Sequence, residues 1–596
     1  MEPLFFNNGI APSLLFICGA LLIPLLSGRL KSVYMIMLPI IALITLFKLS
    51  DGSYWSYAFL DYQLTLGRID GLSRVFGYIF ALITIIAVIY ALRVKDNVQH
   101  VAAFMYAGGA LGVTFAGDML TLYIFWELMA IASTFLILAR RTKKAQAAAY
   151  RYVLVHVFGG LCLLAGIVLY IQQTGSTALG KMVLGDLSTW LIFIGIAVNA
   201  AIPPLHPWLQ DAYPEATVTG AVFLSAFTTK SAVYVMARTF PGTELLIYLG
   251  AFMTILPVFY AEVENDIRRV LSYSLMNQVG FMMCGIGIGT HLAINGAVSH
   301  AFCHILYKAL LFMSAGAVLQ VTGKIKCTDI GGLYRTMPLT CLFCIIGAAS
   351  ISAFPLFSGF VSKSMIISAA GNNHLAIVWL MLQFASAGVI AHAGIKVPFF
   401  TFFGHDSGIR AKEPPVNMLI AMGLAAFLCI FLGVFPQWLY GILPYQDVVY
   451  HPYTGAHVVF QLQLLLFGIF AFYLLLKSGY YPSEVRAINL DTDWFYRKGA
   501  QSFYAAMDRG LNGLNQLADR FLARGMTAAL ARFAGEAAVR LAAVLTHPFR
   551  IAMAKDKHNQ LTTTQTIQRM FESGTVPLGV SAMAAALFIV GMYIMT

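Results

Sequence analysis

Long apolar runs separated by short polar loops make up most of the chain. Sixteen such runs fall at about 12–29, 32–48, 74–93, 100–116, 119–139, 148–172, 184–202, 218–239, 243–262, 269–288, 291–320, 338–370, 374–402, 416–436, 459–477 and 577–595. About 20 apolar residues at 1.5 Å per residue cross the hydrocarbon core of a bilayer, so each run predicts a membrane helix. Between the last two the pattern changes. From 478 to 576, Ala, Leu and Phe alternate with Arg and Asp, and Arg520, Arg524, Arg532 and Arg540 recur along the stretch. That is the pattern of an amphipathic helix. The expected fold is therefore an all-α polytopic membrane protein with about 16 transmembrane helices, a long C-terminal lateral segment and a terminal anchor helix. Six regions are expected: scaffold helices over 1–98, a first half-channel over 99–240, a second over 241–403, further core helices over 404–477, the lateral segment over 478–576 and the anchor over 577–596.

Composition agrees and narrows the choice. Hydrophobic residues make up 59% of the 596 positions, charged residues 11%, and mean hydropathy is +0.77. A soluble enzyme with one anchor does not look like this. The formal net charge is +12, but the basic residues lie between spans and not in one patch. Arg29 and Lys31, Arg93 and Lys95, Arg140 to Lys144, Arg268 and Arg269, Lys324 to Arg335, and Arg410 with Lys412 fall in alternate loops. This is the positive-inside pattern, not a nucleic-acid surface, and it puts the N-terminus outside and the lateral segment on the cytoplasmic side of a bacterial inner membrane. The first span has no cleavage pattern and reads as a retained helix. Cys341 and Cys344 form a CxxC inside an apolar span, a weak metal or redox signal without a second pair. No dinucleotide loop, P-loop, haem motif or iron–sulfur cysteine run occurs, so no cofactor, metal or catalytic residue is expected in this chain.

What the chain does carry is charge at membrane depth. His300, His304 and Lys308 recur every fourth residue and so share one face of a helix. A lone histidine in such a helix is usually a packing residue, and a lone lysine usually snorkels to the interface. Here several occur together. Glu127 lies mid-span, as does Lys230, and Lys363 follows a proline break. Each ionisable group costs about 2.5–3.5 kcal/mol at a helix centre. A set of them points to ion movement.

Two spans are interrupted by proline, which removes helix hydrogen bonds and frees carbonyls. The first break holds Pro203, Pro204, His206 and Asp211, with Asn199 just before it; the second holds Pro355. Pro355-Leu356 follows Pro204-Leu205 by 151 residues, while Tyr152, His156 and Gly159 are echoed 121 residues later by Tyr273, Asn277 and Gly280. Paired broken helices predict two inverted repeats with a half-channel in each.

Trp126-Glu127, Pro204-Leu205-His206-Pro207-Trp208-Leu209-Gln210-Asp211-Ala212, Asp266-Ile267-Arg268-Arg269-Val270-Leu271-Ser272-Tyr273-Ser274 with Gln278 and Gly280, the His300, His304, Lys308 ladder, and Ser362-Lys363 together resemble the antiporter-like membrane subunits of respiratory complex I and the Mrp-type cation/proton antiporters. The likeness covers about 100–400, and the tail from Asp493-Trp494-Phe495-Tyr496 is similar to that of the largest complex I subunit of this type. The resemblance implies proton, and in some relatives sodium, translocation by Glu127, Lys230, Lys308 with His300 and His304, and Lys363, with His156, Asn199, His206 and Asp211 in support. It also implies membrane-subunit and lipid partners and redox chemistry, if any, in those partners. The role of the D-type subunit of an Mrp antiporter is the first expectation. The alternatives are a pumping subunit of a complex I-like quinone oxidoreductase or of a hydrogenase or inorganic-carbon uptake complex. One departure stands out: relatives usually carry lysine where this chain has Asn199, so that Glu127 either recruits Lys230 or the first half-channel does not operate as in the relatives.

Overall fold

Polar residues at the ends of the apolar runs set the helix boundaries. Asp70, Asp118, Thr142, Asp186, Asp266 and Thr290 each accept a backbone N–H from the first turn that follows, and Gly175 and Gly323 close two helices in the left-handed region at φ +69°. Side-chain caps satisfy N–H groups that the helix itself leaves unpaired.

The computed structural model describes residues 10–479, 489–553, 569 and 578–595. Helices α1 (Pro12–Leu22) and α2 (Gly28–Lys48) precede a β-hairpin, β1 (Gly52–Phe59) and β2 (Tyr62–Ile69), which the apolar pattern did not predict. Then come α3 (Gly71–Ala91), α4 (Asn97–Phe115), α5 (Met119–Leu138), α6 (Lys143–Thr174), α7 (Leu187–Asn199), α8 (Pro207–Ala212), α9 (Gly220–Ala226) and α10 (Thr228–Thr239). The second set is α11 (Glu244–Val263), α12 (Ile267–Ile288), α13 (His291–Thr322), α14 (Pro338–Ile351), α15 (Ser358–Asn372) and α16 (Ala376–Val389), the last running on as π-helix over Ile390–Lys396. Helix α17 (Val416–Val434) packs against α3, α13, α14 and α15, and α18 (Gln437–Tyr440) and α19 (Gly455–Ser478) follow, α19 against α16 and its π-helical continuation. Helix α13 is the axis of the bundle: nearly all of its 32 residues are buried, against the flanks of α9, α12, α14, α15 and α17.

All sixteen expected spans fall on helices, but ten meet the length and apolarity of a membrane crossing among the described residues, and Pro12–Leu25, Leu187–Asn199 and Pro338–Ile351 are shorter. The breaks explain part of the gap, because α7 and α14 stop halfway.

The internal repeat is real in the backbone, with a register the sequence did not show. Helices α6 and α13 are both 32 residues long and end on left-handed glycines 148 residues apart. This aligns His156 with His304 and Gly160 with Lys308, and replaces the match of α6 to α12 at 121 residues. At the breaks the offset is 152. Ala201 and Ala353 both have φ +56°, and Ile202 N–H donates to Ala197 O at 3.1 Å as Phe354 N–H donates to Ala349 O at 3.0 Å. Pro355 therefore corresponds to Pro203, not Pro204.

The membrane unit ends at Asp493, and Trp494–Thr596 form a separate unit. There α20 (Asp493–Ala518), a π-helical turn (Asp519–Met526) and α21 (Thr527–Met553) continue one another, and α22 (Leu578–Met595) follows. At 1.5 Å per residue the first three reach about 90 Å. Residues 480–488 and most of 554–577, also within the expected lateral segment and anchor, lie outside the described residues.

Candidate functional site

A lysine ties off the second helix break, and another spans the join of α9 and α10 in the first copy. At the second, the carbonyl of Ile351 is freed where α14 ends, and Lys363 Nζ from α15 donates to it at 3.0 Å while lying 5.1 Å from the centre of the Phe281 ring. In the first copy, Lys230 on α10 donates to the Ser225 carbonyl at 2.6 Å and to Thr229 Oγ1 at 3.1 Å, across the irregular join with α9. Both ammonium groups are buried. A buried cation held only by neutral acceptors is an expensive arrangement.

Between them runs the ladder on α13. His300 Nδ1 pairs with Ser362 Oγ at 3.0 Å and Nε2 with Gln278 Oε1 at 3.2 Å, and Tyr307 O–H donates to the same Gln278 oxygen at 3.1 Å. The rings of His300 and His304 are 6.3 Å apart. Neither nitrogen of His304 nor Nζ of Lys308 has a hydrogen-bond partner among the described residues, though all are buried. Buried polar groups without partners are rare in proteins and commonly mark unseen water. The structure thus brings Lys230, His304, His300, Lys308 and Lys363 into one electrostatic neighbourhood. Beside Lys363 a cavity of 440 Å³ is lined by Ser364, Gln383, His457 and Gln461 as well.

The first copy is built differently. A Cβ on Gly160 would collide with Glu127 Oε1, so the glycine makes room for the carboxylate. By the repeat, that is the place of Lys308. His156 Nδ1 meets Asn199 Oδ1 at 2.8 Å and its ring lies 4.6 Å from Trp208, whose indole N–H ties down the Val198 carbonyl at 2.9 Å. Glu127 and Lys230 form no ion pair among the described residues, so the recruitment of Lys230 by Glu127 is not seen. Asp211 instead takes a two-pronged bond from Arg151, at 2.7 and 2.9 Å. Arg268, buried, donates to the carbonyls of Tyr213, Ala216 and Thr217 and secures the loop after the break.

Three residues escaped the sequence reading. Tyr307 looked like one more aromatic of an apolar helix. His392 sits in the π-helical stretch after α16, buried and within electrostatic range of Lys308, Lys363 and Lys396, and nothing in the apolar pattern announces a π-helix. Asp491 reads as part of the lateral segment, yet it is buried against His206 and Tyr273.

Residues 116–390 match the family described as NADH:quinone oxidoreductase/Mrp antiporter, TM. Over this stretch, a little under half of its length, the chain is similar to the antiporter-like family. Similar proteins include the A-type subunit of the Na(+)/H(+) antiporter of Alkalihalophilus pseudofirmus, 26% identical over 75% of this chain and 62% of that protein. The A1-type subunit of the Na(+)/H(+) antiporter of Staphylococcus haemolyticus is 29% identical over 62% of this chain and 52% of its own length. The chain thus spans less than two thirds of these relatives, and they are A-type subunits where the sequence led to an expectation of the D type. The fold is shared with a chain of the Mrp complex from Dietzia sp. DQ12-45-1b, with TM-score 0.64, 19% identity and cover of 72% of this chain and 95% of that one. It is shared as well with a chain of a membrane-bound sulfane sulfur reductase, an archaeal respiratory membrane complex, with TM-score 0.69, 23% identity and cover of 86% and 96%.

Proposed function

We propose that this chain is a proton-translocating subunit of a multisubunit, Mrp-like membrane complex in a bacterial inner membrane, moving protons in exchange for a monovalent cation such as Na+. The observation that carries this reading is Lys308, a fully buried ammonium with no hydrogen-bond partner among the described residues, one helical turn beyond His304 and within electrostatic range of Lys230. A buried cation without a counter-ion is an expensive arrangement, which suits the group to hand its proton on. His304 and His300 lead from it towards Lys363, and the cavity beside Lys363 supplies the way out. The chain contributes the path, and any redox chemistry belongs to partner subunits.

The test is cation-driven proton movement in inverted membrane vesicles from cells making the whole complex. Lys308→Ala abolishes it while the complex still assembles; undiminished movement overturns the reading. The long helical tail favours a second reading, a pump arm of an electron-transfer complex. Gentle extraction of the tagged chain separates the two: flavin or iron–sulfur subunits copurify under the second, membrane subunits alone under the first.

A further inference from the structure

We propose that Asp491 is the positioning residue for a proton acceptor, His206, in the first helix break, so that the first half-channel is completed by a segment from the far end of the membrane unit. This rests on the transport reading for its purpose, but not for its chemistry.

The segment 489–492 is held at four points. Asn489 Nδ2 donates to Glu264 Oε2 at 3.3 Å, Thr492 Oγ1 to the Pro204 carbonyl at 3.4 Å, Tyr273 O–H to Asp491 Oδ2 at 2.8 Å, and His206 Nε2 faces Asp491 Oδ1 at 3.2 Å. Asp491 is 7% exposed and His206 is fully buried. Burial by itself pushes the Asp491 carboxyl up, but the hydrogen bonds it accepts from His206, the Thr492 N–H and the Tyr273 hydroxyl outweigh it and hold the carboxyl below its ordinary value. The group is a carboxylate.

That fixes the tautomer of its neighbour. A neutral His206 carries its proton on Nε2, donating to the carboxylate, and leaves Nδ1 as an acceptor. Nδ1 is buried and has no partner among the described residues. The same is true of Gln210 Oε1, Asn199 Nδ2, His156 Nε2 and Glu127 Oε1, on the same break and on the helices beside it. A mere anchor for the tail would need no basic nitrogen left buried without a partner. An arriving proton forms an N–H bond at Nδ1, giving an imidazolium opposite the carboxylate, and leaves when that bond breaks towards the next acceptor. A carboxylate so placed orients the ring and fixes which nitrogen is left to accept. The other charged groups nearby are Arg269, 3.8 Å from Glu264, and the Arg151–Asp211 pair.

Hydrogen–deuterium exchange at histidine C2, read by mass spectrometry on the whole complex, reports the proton affinity of His206 without any need for transport. In Asp491→Asn that affinity falls about tenfold or more, the pH profile of proton movement shifts to the acid side, and Asp491→Glu recovers both. Where the Asn variant does not assemble, Asp491→Ser is read in the same way. A His206 titration unaffected by loss of the carboxylate, with exchange at His100 and His405 also unaltered, overturns the proposal. A wild-type complex that moves no protons, yet whose His206 affinity depends on Asp491, overturns the transport reading and leaves the Asp491–His206 assignment standing.

Discussion

At the scale of single residues, the two copies of the repeat carry opposite charge at one position. Lys308 occupies it in the second copy; in the first, Gly160 is empty and the carboxylate of Glu127 fills the space. Gly160→Ala therefore drives a methyl group into Glu127 Oε1 and displaces it. Proton movement in vesicles is expected to fall about tenfold, the usual effect of misplacing a reacting group by an ångström or so. Gly180→Ala, where nothing lies within 4 Å, is expected to be silent. The ionisable groups of the proposed path were visible as candidates beforehand: Glu127, Lys230, His300, His304, Lys308 and Lys363 stand out because charge inside an apolar run is costly. Gly160 did not, since a glycine that makes room is indistinguishable in sequence from one that merely packs. Nor did Asp491, whose neighbours in the chain are those of a surface segment.

At the scale of elements, pairing between distant ends holds the broken helices in place. Arg238, in the last turn of α10, makes a fork of bonds to Asp70, the cap of α3, at 2.7 and 2.8 Å. Burial pushes the Asp70 carboxyl up, but the bonds and charge of Arg238 prevail and bring it down to about 2. A depressed carboxyl stabilises the fold above its unfolded value, about 3.9, and that contribution is lost as pH falls from there through about 2. In detergent, the thermal midpoint of the wild type is expected to drop over this window more steeply than that of Asp70→Asn. The variant should also melt lower at pH 7. The element boundaries followed well from caps and apolar runs, whereas the register of the repeat did not. Residue identities at 121 and 151 residues pointed to the wrong partners, because it is the hydrogen bonds of Ala201 and Ala353, not the side chains, that the breaks share.

At the scale of the whole molecule, Lys230 of the first copy lies within electrostatic range of His300, His304 and Lys308 on α13, and on the proposed function the halves should not act separately. If protons follow a single path, Glu127→Gln combined with Lys363→Ala lowers flux no further than the more severe single change, since residues acting as a unit are non-additive. Two independent channels would give losses that multiply. The measurement is initial proton flux in vesicles containing equal amounts of complex. The all-helical membrane fold was visible from the apolar runs, yet the hairpin between α2 and α3 was not, being short and half exposed. There is a consequence for how the protein is made. His206 precedes Asp491 by 285 residues, and at about 5–20 residues per second a ribosome needs roughly 15–60 s to cover that distance. During that interval the first half of the bundle already exists in the membrane without its carboxylate.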